Sequence, residues 1–236
     1  MHPFARYIAL GDSISIDVYP AADAERRFAG KASTDRLGAA SLLYENDDRF
    51  WPEFRGRDLH SVLPSLEYDD LTADGATTQS LLRQVERIPR GDEETLVTIT
   101  AGGNDLLGAI GSRGGSNPVI EIVDRLRTGI DRLLELCPQA FVLVGTVYDP
   151  SDGTKRLPGY QRELEREAEW LDEYNDFVRK LATTDPRLRF ADIHQHFLGH
   201  GLTAPEEERW YLRESIIEPS ARGASEVRRL WLERLE

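Results

Sequence analysis

Cysteine is almost missing from this chain. Cys137 is the only one among 236 residues, which excludes an internal disulfide and a thiolate zinc cluster. Positive charge is scarce as well: 29 Lys and Arg stand against 42 Asp and Glu, for a formal net charge of -13. A surface of that sign repels a phosphate backbone, so nucleic acid is not an expected partner. Long apolar runs are lacking too. No stretch reaches the roughly 18 apolar residues of a membrane span, and MHPFARYIAL is broken by Pro3 and Arg6 before it makes the apolar part of an export signal. A cytoplasmic location is therefore expected, although a secreted mature chain would read the same way. No repeat, low-complexity run or composition shift marks a linker, and one domain over residues 1–236 is expected.

What is present is a soluble globular composition, with hydrophobic residues at 40% and charged residues at 30%. ARYIALGD reads as a short buried strand ending at Gly11, and LGAASLLYEN has helical spacing. LHSVLP reads as a possible second strand. TTQSLLRQVERI is an amphipathic helix with Thr77 or Thr78 as its N-cap, and ETLVTITAGGND a β-rich run closing on Gly-Gly-Asn-Asp. NPVIEIVDRLRTGIDRLLELC follows as a helix that Pro138 closes, then QAFVLVGTVYD as a strand. QRELEREAEWLDEYNDFVRKLATT reads as a long charged helix, RLRFADI as a last strand, and ARGASEVRRLWLERLE as a terminal helix. Alternation of strand and helix predicts an α/β fold, a parallel sheet with helices on both faces. Ligands of such sheets bind at the carboxyl ends of the strands. Residues 11–13, 74–75, 102–105, 148–149 and the loop after Asp192 are therefore expected along one edge.

On that edge Ser13 is predicted just after the first strand and at or near the start of a helix, where N–H groups and the helix dipole favour a developing negative charge. Gly-Asp-Ser is equally a common turn tripeptide, so the bend is either a plain turn or the presentation of a nucleophile. Asn104 offers a side-chain amide donor and Gly75 an unobstructed backbone N–H; with the Ser13 N–H they would form an oxyanion hole. The alternative for Gly102, Gly103 and Asn104 is a tight turn with the asparagine capping a helix.

GDSISID, a glycine in ADGATT, and GGND, in that order, resemble the first three blocks of the SGNH hydrolases, the GDSL esterase and lipase superfamily. The resemblance implies a three-layer α/β/α, flavodoxin-like fold with a central parallel sheet of about five strands. It also implies a nucleophile at Ser13, oxyanion donors from Ser13, Gly75 and Asn104, and acyl hydrolysis or transfer. The fourth block departs from the family. Where an Asp-x-x-His with a following Pro and Gly is expected, the chain reads SIIEPSARG: Pro219 and Gly223 fit, but Glu218 stands at the position of the histidine base and Ser215 at that of the aspartate.

Three explanations follow: a histidine elsewhere replaces the missing base, Glu218 is itself the base, or the site has lost its chemistry. ADIHQHFLGHGL holds three of the five histidines. His200, freed by Gly199 and Gly201, is the first candidate and His196 the next, ahead of His194; a carboxylate at Glu218 would then orient and stabilise the imidazole. The competing role for these rings is packing or capping after the last strand. As a base in its own right, an exposed glutamate pulls weakly on a serine hydroxyl unless burial raises its pKa.

His194, His196 and Asp192 also have the look of a metal site, but side chains two apart share a face on a strand and not on a helix, and no metal or cofactor is expected. Glycine pairs at 102–103 and 114–115 make no dinucleotide fingerprint. Phe50, Trp51, Phe54, Trp210 and Tyr211 would either line a substrate pocket or pack beneath loops. The expected activity is a serine-dependent esterase acting on a small-molecule or carbohydrate ester, with short acyl or acetyl groups favoured because no apolar lid helix is evident. The rival expectation is a binding module that holds a carboxylate or acyl ligand without turnover.

Overall fold

The computed structural model describes residues 3–27, 35–110 and 116–236. Five strands form one parallel sheet: β1 (Arg6–Gly11), β2 (Glu67–Asp70), β3 (Thr95–Thr100), β4 (Ala140–Gly145) and β5 (Leu188–Ala191), in the order β2-β1-β3-β4-β5. This is the flavodoxin-like order, whose switch point lies between β1 and β3. The helices are α1 (Val18–Arg27), α2 (Ala39–Tyr44), α3 (Leu59–Val62), α4 (Thr78–Val85), α5 (Gly103–Ala109), α6 (Val119–Leu136), α7 (Glu165–Leu181), α8 (Ile193–Phe197) and α9 (Ala221–Leu235).

Side-chain alternation along the buried strands sorts the core into two layers. Ile8, Leu10, Val97, Ile99, Val142 and Val144 face α4, α6 and α7, whereas Tyr7, Ala9, Leu96 and Leu143 face α9 and its neighbours. Every residue of β3 is buried, as a central strand covered on both faces requires. Helix α6 supplies Ile122, Leu126, Ile130 and Leu133, a stripe at helical spacing. Helix α9 opens on Ser220, whose side chain accepts the Gly223 N–H at 3.1 Å.

Two elements differ from the sequence reading. LHSVLP is not a strand: Leu59–Val62 make one helical turn capped by Asp58, whose carboxylate accepts from Ser61 N at 2.9 Å. The second strand is the acidic stretch Glu67–Asp70 at the sheet edge, held to β1 by backbone pairing and by Arg6 on Asp69 at 2.6 Å. The turn after β1 also does not open a helix. Residues 12–15 form a tight turn, with Ser15 N–H donating to Asp12 O at 3.1 Å, and α1 starts only at Val18. A helix dipole is therefore not what supports Ser13.

Candidate active site

The carboxyl end of β1 is fixed before Ser13 is reached. Gln84 on α4 pairs with both backbone groups of Gly11: the Gly11 N–H donates to Oε1 at 2.8 Å and Nε2 donates to Gly11 O at 2.9 Å. Gly11 has φ 122°, and a β-carbon there would stand 1.9 Å from Thr100 O, so only glycine lets β1 and β3 end this close together. Asp12 N–H then donates to Thr100 O at 3.0 Å, and Ser15 Oγ bonds Thr100 Oγ1 at 2.9 Å. Ser13 is held in the bend between them, 6% exposed.

Helix α5 begins at Gly103, so Asn104 sits in its first turn and is not its cap. The Asn104 side-chain amide donates to Ala76 O at 3.0 Å, which ties the β3 edge to the turn carrying Gly75. Gly75 has φ 66° with open space where a side chain would start, leaving its backbone approachable. Asp105 reinforces the same connection. Its carboxylate accepts from Thr78 N and Thr78 Oγ1, both at 2.8 Å, and from Arg125 at 3.1 Å, pinning the start of α4.

Glu218 arrives from the segment before α9. Its backbone is held on three sides: Glu218 N–H donates to Ser215 O at 2.9 Å, Leu212 N–H donates to Glu218 O at 2.8 Å, and Tyr148 Oη donates to the neighbouring Ile217 O at 2.6 Å. Tyr211 and Pro219 pair as an isolated antiparallel bridge. The Glu218 side chain is buried and lines the same cavity as Ser13, whose hydroxyl bears on its carboxylate. Burial pushes its pKa above the usual glutamate range; the Ser13 hydroxyl draws it back and the charge of Asp74 adds to the rise. Glu218 Oε2 is buried and has no well-formed hydrogen-bond partner among the described residues.

Asp12 was not singled out for chemistry in the sequence, yet it is the most perturbed acid of the site. Only 1% exposed, its carboxyl is pushed by burial up to about 7, against hydrogen bonds from Ile14 N and Thr100; Glu218 nearby adds to the rise. Its adjacency to Ser13 was the available signal, but burial is not visible in a tripeptide. Asp12, Ser13, Asn104 and Glu218 all line one cavity of about 110 Å³, whose remaining wall is largely aliphatic.

The histidines go elsewhere. The His200 ring stacks on Trp210 with centroids 3.7 Å apart and planes at 6°, and its carbonyl accepts the Trp210 N–H at 3.0 Å. His196 Nε2 is 3.0 Å from Glu226 Oε2, and His194 occupies the start of α8 with its N–H donated to Thr146 Oγ1 at 2.9 Å. Neither His200 nor His196 lines the cavity of Ser13. Asp192 caps α8 and pairs with Arg179 at 3.0 Å. Among the described residues no group of three or more His, Cys, Asp or Glu gathers to hold a metal ion, and Gly114 and Gly115 lie outside the described residues.

The aromatic candidates form packing, not pocket lining. Phe54 is fully buried beneath the Arg228 guanidinium, 3.5 Å from its ring centre, and Trp210 and Tyr211 pack edge-on against Phe197. Phe50 and Trp51 pack against the small cluster of Ala24, Leu37, Leu42 and Ala221.

Comparison with known proteins agrees with this architecture. Among solved structures the chain is similar to an extracellular lipase from Streptomyces rimosus, with 19% identity over 98% of each chain and a TM-score of 0.61. It is similar to a phospholipase A1 from Streptomyces albidoflavus NA297, with 20% identity over 98% of this chain and 99% of that one and a TM-score of 0.60. An acetyl xylan esterase from Geobacillus stearothermophilus matches at 16% identity over 98% and 93% of the two chains, with a TM-score of 0.61. No curated protein matches the chain. The model of the GDSL-like lipase/acylhydrolase family spans residues 9–224, from within β1 to the first turns of α9, and the chain belongs to that family.

Proposed function

We propose that this protein is a serine-dependent ester hydrolase in which Ser13 is the nucleophile and Glu218 the general base. The observation that carries the reading is the juxtaposition of the Ser13 hydroxyl and the buried Glu218 carboxylate at the mouth of an apolar cavity. Glu218 takes the Ser13 proton as Oγ attacks the ester carbonyl. The oxyanion is stabilised by the Asn104 amide and the backbone N–H groups of Gly75 and Ser13. Collapse breaks the ester C–O bond, and the departing alkoxide takes the proton from Glu218, leaving an acyl group on Ser13. Water then gives its proton to Glu218 and attacks the acyl-enzyme; Ser13 Oγ leaves as the acid is formed and is reprotonated from Glu218.

Burial makes this base chemically reasonable. An exposed glutamate carboxylate is too weak a base for a hydroxyl, and raising its pKa toward the working pH strengthens it without leaving it protonated. The His200 ring is stacked on Trp210 and does not line the cavity of Ser13, so it is not assigned the same role. The test is trapping of the intermediate. Rapid acid quench during turnover of p-nitrophenyl butyrate should yield one butyryl group per chain, on the peptide containing Ser13, and Ser13→Ala should abolish both adduct and turnover. Folded protein that neither turns over nor is acylated would favour the binding module.

A further inference from the structure

Asp152 does not line the Ser13 cavity, although Asp149, Pro150, Ser151 and Lys155 of the same loop do. Its carboxylate is taken up by the loop after α8. Gly199 N–H and Gly201 N–H donate to Oδ1, and Gly201 N–H and Thr203 N–H to Oδ2, each at 3.0 Å. Thr203 Oγ1 adds a fifth contact, donating to Oδ2 at 2.5 Å. Beside them Leu202 N–H donates to Pro150 O at 2.9 Å. Convergent backbone N–H groups make a cradle for an anion, and here the chain supplies the anion itself.

Both loops are shaped for this contact. Asp152 has φ 53°, in the left-handed region that Asp enters more readily than most residues. At Gly201 a β-carbon would stand 2.4 Å from Pro150 O and 2.8 Å from Asp152 Oδ1, so only glycine lets the two loops meet. The loop that receives Asp152 is tied in turn to the segment that carries the base. Trp210 N–H donates to His200 O at 3.0 Å, and the Arg209 guanidinium donates to Ala204 O at 3.0 Å and to Leu202 O at 3.2 Å. From there Ser220 N–H donates to Trp210 O at 2.9 Å and Leu212 N–H to Glu218 O at 2.8 Å. Tyr148, four residues before Asp152, holds Ile217 O from the other side.

We propose that Asp152 is a positioning residue for Glu218: by gripping residues 199–203 it fixes the segment 210–220 against the loop 148–155 and so keeps the Glu218 carboxylate at the Ser13 hydroxyl. The inference rests on the Ser13 and Glu218 reading for its effect on turnover and on these hydrogen bonds for the placement. A nucleophile and its base must hold a near-attack geometry, and a displacement of about 1 Å costs on the order of 10²-fold in rate. His200, at the centre of the gripped loop, thus serves the site through its backbone carbonyl and not through its imidazole.

The test combines hydrogen exchange, read by peptide mass, with kinetics on p-nitrophenyl butyrate below the melting temperature of each variant. Wild type, Asp152→Gly, Asp152→Asn, Glu218→Gln and the double variant Asp152→Gly/Glu218→Gln are compared. Glycine keeps the left-handed turn and removes only the carboxylate; asparagine keeps the turn and one acceptor oxygen, and carries the test should the glycine variant fail to fold. Asp152→Gly should lose amide protection across residues 210–220 while α6 keeps its own. Its kcat should fall by about 10²-fold with KM little changed, and Asp152→Asn should lie between it and wild type. Because Asp152 acts through Glu218, the same change made in Glu218→Gln should lower kcat no further. Unchanged protection across 210–220 overturns the proposal, and so does an equal fold loss of kcat in both backgrounds, the mark of general loosening. If no ester is turned over even by wild type, protection lost across 210–220 upholds the placement of that segment by Asp152 while the Ser13 chemistry fails.

Discussion

Ser13 and Glu218 line one cavity at the carboxyl edge of the sheet, a hydroxyl on the turn after β1 and a buried carboxylate carried by the segment before α9. The two come from opposite ends of the chain, and each is placed by backbone hydrogen bonds to neighbours and not by its own side chain. In this arrangement a carboxylate takes the place that a histidine fills in the family resemblance.

Replacing the base while keeping its shape should be costly. Glu218→Gln is expected to lower kcat by about 10²–10⁴-fold, the usual contribution of general base catalysis, with little change in KM. His200→Ala should lower the melting temperature, because its stack on Trp210 is lost, and leave kcat/KM essentially unchanged. Steady-state kinetics on one p-nitrophenyl ester, paired with thermal melts, checks both.

Removing the side-chain oxyanion donor should act on the chemical step. Asn104→Ala is expected to reduce kcat by about 10²–10³-fold. Loss of its bond to Ala76 O also frees the turn carrying Gly75, so the variant should gain susceptibility to proteolysis within residues 71–77. A variant with wild-type kcat would remove Asn104 from the oxyanion hole.

Two buried acids beside one hydroxyl give a distinctive pH dependence. Activity requires ionised Glu218, so it should rise with pH through a transition above 4.5, the ordinary glutamate value from which burial shifts it. It should then decline as Asp12 ionises near 7, since a second negative charge opposes the oxyanion. A histidine base would instead give a plateau above neutrality. The same group links pH to stability. Asp12 is raised in the folded protein from 3.8 to about 7, so the stability it gains by holding its proton is fully present below 3.8 and is lost as pH rises to about 7. Asp12→Asn should therefore remove the alkaline decline in activity and melt higher than wild type above pH 7, with the two curves converging in acid.

Asp105 carries a structural prediction. Its carboxylate receives Thr78 and Arg125 and is itself nearly buried. Asp105→Ala leaves those donors without their acceptor, which should cost about 1–3 kcal/mol. Because α4 also carries Gln84, the clamp on Gly11, kcat should fall along with the denaturation midpoint.

Most of the fold was legible because burial leaves a mark on composition. β3, with TLVTIT buried throughout, and α6, with its apolar stripe, could be read directly. β2 could not: EYDD is an acidic edge strand, stabilised by pairing with β1 and by Arg6, neither of which is local in sequence. Leu59–Val62 is too short an apolar run for periodicity to separate helix from strand, and Asp58 capping decides it. In the site, Ser13, Gly75, Asn104 and Glu218 stood out through ordered motifs. The burial of Asp12 and Glu218 and the stacking of His200 depend on chain segments far apart, and no motif reports them.

The most direct measurement is the rate at which a small fluorophosphonate labels Ser13, compared by intact mass and peptide mapping among wild type, Glu218→Gln and His200→Ala below the Asp12 transition. Glu218 activation predicts stoichiometric labelling of Ser13 in wild type and His200→Ala at similar rates, and labelling slowed at least about a hundredfold in Glu218→Gln. Labelling that survives in Glu218→Gln but disappears in His200→Ala would contradict it.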